Sequence, residues 1–247
     1  MLKRILAFAF VAALIGLGVY WVTTQPSTVS ATALPAYTPN VENGKTMFDA
    51  GGCASCHAVN KDERTILAGG MALPSPFGTF HVPNISPNPV DGIGRWSEAD
   101  FVTAMTRGTS PSGRHYFPAF PYTSYAKMKL EDVRDLFAYL KTLPQAAGKV
   151  RDHEVPFPFN IRRNLGGWKF LFFDDRPFAA DPSKSEQWNR GAYLVRGLGH
   201  CSACHTTRNV LGASSDLMDL SGGVIPMQNW DAPSLAAPRE AGGADWP

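Results

Sequence analysis

Cys53-Ala54-Ser55-Cys56-His57 and Cys201-Ser202-Ala203-Cys204-His205 are the two stretches of sequence that decide the fold. In each, two residues separate a pair of cysteines, and a histidine follows the second cysteine directly. The chain has four cysteines in total. All four belong to these two motifs, so none is left over for a structural disulfide.

The motifs predict covalent attachment of haem. Two intervening residues on a helical turn set the sulfurs at the separation of the haem vinyl groups, and the adjacent histidine then offers a ring nitrogen to the iron. The alternatives are a redox dithiol, which would need one motif beside a βαβ pattern, and a zinc site, which would not explain a histidine after both pairs. We therefore expect two haem c groups, held by Cys53, Cys56, Cys201 and Cys204, with His57 and His205 as proximal iron ligands.

The overall composition suits a small, loop-rich globular protein. A length of 247 residues allows two small domains. The net charge of +2 gives no electrostatic basis for nucleic-acid binding. With 23 glycines and 20 prolines, long ordered loops are favoured over a dense α/β fold. We predict a mostly α-helical protein.

Residues 1–24 are predicted to be a membrane anchor. A short basic head precedes an uncharged apolar run from Ile5 to Val22, which is near the lower limit for crossing a bilayer and long for a signal peptide. Ala31-Thr32-Ala33 has the form of a cleavage site but lies well past the run, so we favour an uncleaved anchor over a removed signal. The basic end stays in the cytoplasm, which predicts a single-pass protein of a bacterial inner membrane with its haem domains in the periplasm. Residues 25–40 are interpreted as a flexible tether.

The remaining sequence contains an internal repeat. A glycine precedes each motif, a Gly-Gly pair follows each, and a further stretch then aligns without gaps. The preceding glycines are Gly44 and Gly191, and the pairs that follow are Gly69-Gly70 and Gly222-Gly223. The stretch without gaps aligns Val82 to Trp96 with Ala232 to Trp246, so that Pro83 matches Pro233. We predict haem domains at 41–144 (the first unit) and 186–247 (the second unit), joined by an aromatic-rich connector at 145–185.

Two helices predicted in the first unit have no counterpart in the second. One starts at the capping-box sequence Ser97-Glu98-Ala99-Asp100, and the other is an amphipathic helix from Leu130 to Leu143. The chain stops one residue after Trp246. We interpret the second domain as incomplete, in a truncated reading frame or fragment. A natural half-domain completed by another subunit is the alternative.

The connector is rich in aromatic residues, in Pro156-Phe157-Pro158-Phe159 and in a helix predicted from Asn160 to Phe173. These side chains are expected to cover the interface between the two haem domains. A docking surface for a partner or for the membrane is the alternative.

The distal iron ligands are less well defined by the sequence. Methionine or a second histidine normally completes a c-type haem, and in simple cytochromes c the methionine lies in the loop before the last helix. Phe120 occupies that place here. We favour Met128 as the ligand of the first haem, with His115 as the alternative and an open site as a third possibility. In the second unit, Met218 and Met227 are interpreted as core or loop residues.

The loops of the first unit resemble those of a known family. The segments that carry the resemblance are Gly69 to Gly78, Pro83 to Pro87, Gly92 to Ser97 and Gly113 to Tyr122. They are similar to the cytochrome c subunits of membrane-bound bacterial alcohol, aldehyde and gluconate dehydrogenases, over residues 41 to about 246. Many members have a third haem motif, and many have methionine where this chain has Phe120.

The resemblance implies tandem class I cytochrome c domains. It also implies a periplasmic dehydrogenase partner with a quinone, flavin or molybdenum cofactor, and ubiquinone or a terminal oxidase as electron acceptor. We expect an electron-transfer subunit with no catalytic residue and no enzymatic activity of its own. The alternatives are a dihaem enzyme, such as a peroxidase or thiosulfate dehydrogenase, and a free-standing electron shuttle or haem sensor.

Overall fold

The computed structural model describes residues 1–214, 216–225 and 229–236. Met227 and Trp246 therefore lie outside the described residues, as does the end of the predicted second domain. The helices are α1 (Leu2–Thr23), α2 (Val41–Ala50), α3 (Cys53–His57), α4 (Glu98–Arg107), α5 (Tyr122–Tyr125), α6 (Leu130–Leu140), α7 (Asn164–Phe172), α8 (Glu186–Arg196) and α9 (Ser202–His205). The strands are β1 (Ala72–Ser75), β2 (Gly78–His81), β3 (Gly223–Ile225) and β4 (Trp230–Ala232). Helices are thus the main regular secondary structure of the described residues, and the rest is mostly loops and turns.

Helix α1 corresponds to the predicted membrane anchor. Its 22 residues extend about 33 Å at 1.5 Å per residue, slightly more than the hydrocarbon core of a bilayer. None of its residues is buried against the rest of the protein. Among the described residues, one helix is long and apolar enough to cross a membrane, and a signal sequence would meet the same criteria.

The core of the first unit is built around the crossing of α2 and α6. A Cβ at Gly44 would lie only 2.0 Å from the carbonyl oxygen of Asp135, so the two backbones meet where glycine leaves room. The Asp135 carboxylate is buried below the crossing and accepts hydrogen bonds from the Asn40 backbone N–H at 2.7 Å and the Asn43 amide at 2.8 Å. These bonds fix the start of α2 against α6.

The two helices predicted within the first unit are confirmed. Ser97 caps α4, and its hydroxyl oxygen and the Asp100 carboxylate each bond the other residue's backbone N–H, as a capping box requires. Helix α6 ends at Leu140, a turn earlier than predicted, and its apolar face is buried in the core. The connector helix α7 starts later than predicted because residues 157–160 form turns instead.

Two antiparallel hairpins were not predicted from the sequence. Strand β1 pairs with β2 through Ala72 opposite His81, and β3 pairs with β4 through Gly223 opposite Ala232. Strands of three or four residues are too short to show a clear alternation of polar and apolar residues. The hairpins occupy equivalent places in the two units. Strand β1 begins two residues after Gly69-Gly70, and β3 begins at the second glycine of Gly222-Gly223.

The predicted tether at 25–40 makes specific contacts with the first unit. The Val29 N–H donates to the Thr103 hydroxyl at 2.9 Å, and Arg134 donates to the Pro35 carbonyl at 2.8 Å. The Tyr37 hydroxyl donates to Asp135 at 2.9 Å. From Val29 onward this segment therefore lies along the surface formed by α4 and α6.

Candidate haem sites

The first motif forms a short helix, α3, directly after α2. Gly52 precedes it in the left-handed conformation, with φ of +60°, and this turn allows α3 to begin immediately after α2 ends. Ala54 faces the core, whereas Cys53 and Cys56 are half-buried free thiols. Burial raises the pKa of the Cys53 thiol to about 12. Cys56 and His57 lie three and four residues after Cys53, so the three side chains lie on the same side of the helical turn.

The imidazole of His57 is held in one orientation by a backbone carbonyl. Its Nδ1 lies 2.8 Å from the carbonyl oxygen of Pro83. Because a carbonyl only accepts, Nδ1 carries the proton and Nε2 keeps its lone pair. Burial lowers the pKa of His57 to about 4, so the ring is neutral at pH 7. A neutral imidazole whose other nitrogen donates to a carbonyl is the usual form of an iron-ligating histidine.

The second motif repeats this arrangement. Nδ1 of His205 lies 2.8 Å from the carbonyl oxygen of Pro233. The carbonyl of each motif histidine accepts a backbone N–H from the first glycine of the following Gly-Gly pair, at 2.9 Å from Gly69 to His57 and at 2.9 Å from Gly222 to His205. The two motifs therefore have the same proximal geometry.

These residues fit a covalently attached haem. In each motif, two free thiols and one imidazole with an available Nε2 lie on a single helical turn. Within the described residues, no three His, Cys, Asp or Glu side chains are grouped so that they could hold a metal ion by themselves. The four cysteines, all of which are described, thus do not converge on a zinc site.

The two motifs lie against each other. Leu198 is fully buried, and its side chain packs on Gly51, where an added Cβ would be 2.9 Å from Leu198 Cδ1. The ring of His200 bonds to the Gly51 backbone and contacts the Tyr125 ring edge-on, with centroids 5.9 Å apart. The peptide preceding Cys201 is therefore packed on the peptide preceding the first motif.

The candidate distal ligands have different surroundings. Met128 is 2% exposed and belongs to the core cluster of the first unit. It lies close to Gly197 of the second unit, where an added Cβ would be 3.8 Å from Met128 Cγ. His115 is also 2% exposed, but it lies under the end of α1, and its Nε2 donates to the Thr24 carbonyl at 3.0 Å. Among the residues that the structure describes, no group forms a hydrogen bond with its Nδ1. Met218 is half-buried.

Phe120, which occupies the expected methionine position, packs among aromatic rings. Its centroid is 5.6 Å from that of Tyr125 and 5.5 Å from that of Tyr116. Burial raises the pKa of Tyr125, and the charges of Cys53 and Cys56 add to this effect because Tyr125 lies close to the first motif. Phe120 thus lines the core beside the first haem site without offering a ligand atom.

The carbonyl partners of the motif histidines were not predicted from the sequence. The signal was nevertheless present, because Pro83 and Pro233 match each other in the ungapped part of the repeat. Tyr125 and His200 were missed as contacts between the motifs. Neither belongs to a pattern that a repeat or a motif search would show.

Comparisons with known proteins agree with this geometry. Residues 41–144 match the family model described as cytochrome c. The chain is 42% identical over 244 residues to a dihaem c-type cytochrome of Cereibacter sphaeroides, covering 98% of this chain and 79% of that protein. It is 35% identical to the fructose dehydrogenase cytochrome subunit of Gluconobacter japonicus, with 97% of this chain and 48% of that subunit covered. It is 34% identical over 214 residues to the gluconate 2-dehydrogenase cytochrome c subunit of Pantoea cypripedii, covering 83% of this chain and 48% of that subunit.

The chain thus spans most of the dihaem relative and about half of these two dehydrogenase subunits. The family match, the dihaem relative and the repeated motif show that the protein carries two haem c groups. The chain therefore belongs to the dihaem c-type cytochromes, and it is similar to the cytochrome c subunits of bacterial dehydrogenases.

Proposed function

We propose that this protein is a dihaem electron-transfer subunit that passes electrons from a dehydrogenase to the respiratory chain. The observation that carries the proposal is the pair of motifs with the same proximal geometry, packed on each other through Leu198, His200 and Gly51. Each bound haem supplies a one-electron couple between ferrous and ferric iron. Two such sites in contact form a short path for single electrons.

We propose the attachment residues from the spacing and geometry of the motifs. Cys53 and Cys56 form the thioethers of the first haem, and Cys201 and Cys204 form those of the second. His57 and His205 provide the proximal Nε2 atoms, and the Pro83 and Pro233 carbonyls orient them. The apolar core around α3 excludes water from the first site.

We propose Met128 as the distal ligand of the first haem, with His115 as the alternative. The positions of the two residues support this order, because Met128 belongs to the core cluster that contains Ala54 and packs against Cys53. His115 instead lies under the end of α1, where it is bonded to Thr24. A thioether ligand raises the reduction potential. Met128→Ala should therefore lower one of the two potentials and abolish the sulfur-to-iron charge-transfer band, whereas His115→Ala should leave both unchanged. The reverse pattern would assign His115.

We propose two class I cytochrome c domains in tandem, at 41–144 and 186–247, with the connector at 145–185 between them. The repeated contacts around the two motifs support this division, including the backbone bond from Ile85 to Leu67 and its counterpart from Leu235 to Leu220. Helix α1 and residues 1–24 form the anchor ahead of them. Residues 25–40 link the anchor to the first domain.

We propose that α1 crosses the bacterial inner membrane once and leaves both haem domains in the periplasm. There the protein would accept electrons from a dehydrogenase subunit of the quinone, flavin or molybdenum type and deliver them to ubiquinone or a terminal oxidase. The named relatives support a dehydrogenase partner. The substrate would be bound by that partner, and no residue of this chain is assigned a catalytic role.

Haem counting tests the attachment sites. The chain expressed with a haem-attachment system should contain two haems by mass spectrometry and pyridine haemochrome spectra. Replacing Cys53 and Cys56 with alanine should leave one haem, and so should replacing Cys201 and Cys204. A reduced-minus-oxidised spectrum without c-type α bands would refute the proposal.

Purification from native membranes tests the partner. A true subunit should bring a larger dehydrogenase with it, whereas a free-standing shuttle should be recovered alone. A dihaem enzyme should bind carbon monoxide or cyanide at a displaceable site and turn over peroxide. Binding without turnover would argue against the peroxidase alternative.

A further inference from the structure

The connector helix α7 is joined to the end of α1. A Cβ at Gly166 would lie 2.6 Å from Thr24 Cα, so the first turn of α7 is in backbone contact with the residue that ends α1. The Tyr20 hydroxyl donates to Asn164 Oδ1 at 2.8 Å, and Arg163 Nε donates to the Thr24 hydroxyl at 2.7 Å. These contacts fix where α7 begins relative to the anchor.

The residues at this junction are those typical of a membrane–water interface. The Arg163 guanidinium lies over the Trp21 ring, 4.2 Å from its centroid, and also donates to the Trp21 carbonyl. Tryptophan, tyrosine and arginine concentrate at the headgroup level of membrane helices. Since α1 is about as long as the hydrocarbon core is thick, its last turn lies at the membrane surface, and α7 starts there too.

Two polar groups of α7 bond to the rest of the protein, whereas the large apolar side chains at its C-terminal end are exposed. Trp168 Nε1 donates to the Leu211 carbonyl at 2.9 Å, and the Lys169 ammonium donates to two backbone carbonyls at the end of α4, at 2.6 and 2.7 Å. Phe170 and Leu171, in contrast, are 72% and 66% exposed. Single exposed apolar residues are common, whereas a contiguous exposed apolar patch is typical of an interaction site or a membrane contact.

We propose that the exposed side chains of Phe170, Leu171 and Phe172, the apolar tip of α7, insert into the bilayer that α1 spans, on the side of the haem domains. An interfacial helix buries aromatic and leucine side chains at the boundary between headgroups and acyl chains. The haem domains are then held to the membrane at two points, and their orientation is fixed. This inference rests on the proposed anchoring by α1.

Photolabelling from the lipid tests the inference. The full-length holoprotein is reconstituted in vesicles of phosphatidylcholine and phosphatidylglycerol that contain a phospholipid with a diazirine near the start of one acyl chain. After irradiation, labelled peptides are mapped by mass spectrometry. We expect label on α1 and on residues 170–172. Val90, an apolar loop residue that is 78% exposed, serves as the internal control and should remain unlabelled.

A double variant sharpens the test. Phe170→Ser with Leu171→Ser should reduce the label on α7 several-fold or more, while the label on α1 and the haem absorption spectrum stay unchanged. Because both side chains are exposed, this variant should fold normally. Val90→Ser is the matched control and should change neither label.

The outcomes separate this inference from the proposed function. Label on α1 without label on residues 170–172 overturns the insertion of α7 and leaves the anchor standing. Label on neither segment refutes the anchor itself, and the inference with it. Equal labelling of Val90 shows that the probe reports exposure rather than depth and also overturns the inference. Slow amide exchange of α7 only when a second subunit is retained would assign the surface to a protein partner.

Discussion

Replacing Gly44 with alanine should separate α2 from α6. The new Cβ would lie 2.0 Å from the carbonyl oxygen of Asp135, 2.6 Å from its carbonyl carbon and 2.8 Å from Tyr139 Cβ. Two of these atoms are backbone atoms in the middle of a helix, so they can move only if α6 moves. Helix propensity alone would favour alanine by about 1 kcal/mol, and overpacking costs about 1–3 kcal/mol or more. Because the Asp135 carboxylate also fixes the start of α2, we expect a net loss of about 2 kcal/mol.

The second unit provides the matched control. Gly191 lies in α8 at the position that corresponds to Gly44 in the repeat, and among the described residues no atom outside its own helix would lie within 4 Å of a Cβ there. Gly191→Ala should therefore show the propensity gain alone, up to about 1 kcal/mol. The assay is guanidinium unfolding of both purified holoproteins in detergent, followed by far-ultraviolet circular dichroism. A Gly44→Ala protein as stable as the wild type, or a shift of the same sign in both variants, would refute the reasoning.

Three further substitutions test local features of the fold. Ser97→Ala removes the cap of α4 and should cost about 1 kcal/mol; an unchanged unfolding midpoint would show that the capping box does not stabilise this helix. Burial, with a contribution from the charge of Arg162, lowers the pKa of His153 to about 4, below its ordinary 6.5. The unfolded chain therefore takes up a proton first as the pH falls, so stability should rise from pH 4 to pH 6.5. Asparagine in His153→Asn can still accept a hydrogen bond from the His81 backbone N–H. This variant should flatten the rise in stability when unfolding curves are measured between pH 4 and pH 6.5, and an unchanged rise would show that other groups cause it. His200 has a φ of +38°, so His200→Val should lower the thermal midpoint by the equivalent of about 1–2 kcal/mol more than His200→Asn, which tolerates that conformation; equal midpoints would contradict this.

The parts of the fold that the sequence predicted are those with long or chemically specific signals. The capping box at Ser97 and the apolar face of α6 depend on neighbours within one helix, so a local pattern is enough to find them. The crossing at Gly44 depends on the backbone of residue 135, far along the chain, and glycine alone does not identify its neighbour. The predicted flexibility of residues 25–40 rested on composition, which does not reveal the bonds that Val29 and Tyr37 make.

The residues of the candidate haem sites likewise fall into those that could be predicted from the sequence and those that could not. The motif cysteines and histidines follow from spacing alone, because haem attachment needs them on one helical turn. The roles of Pro83 and Pro233 depend on backbone carbonyls, which every residue has, so only the repeat pointed to these positions. The surroundings of Met128 depend on packing against the second unit, which no pattern within the first unit encodes.

The matching bonds from His57 to Pro83 and from His205 to Pro233 have a consequence for the direction of electron flow. Each carbonyl increases the donor strength of its imidazole to the same degree, since both contacts measure 2.8 Å. This hydrogen bond would therefore contribute about equally at both sites and would not by itself favour electron flow in either direction. A downhill step from one haem to the other would have to come from other features, such as the distal ligands and how far each site is shielded from water.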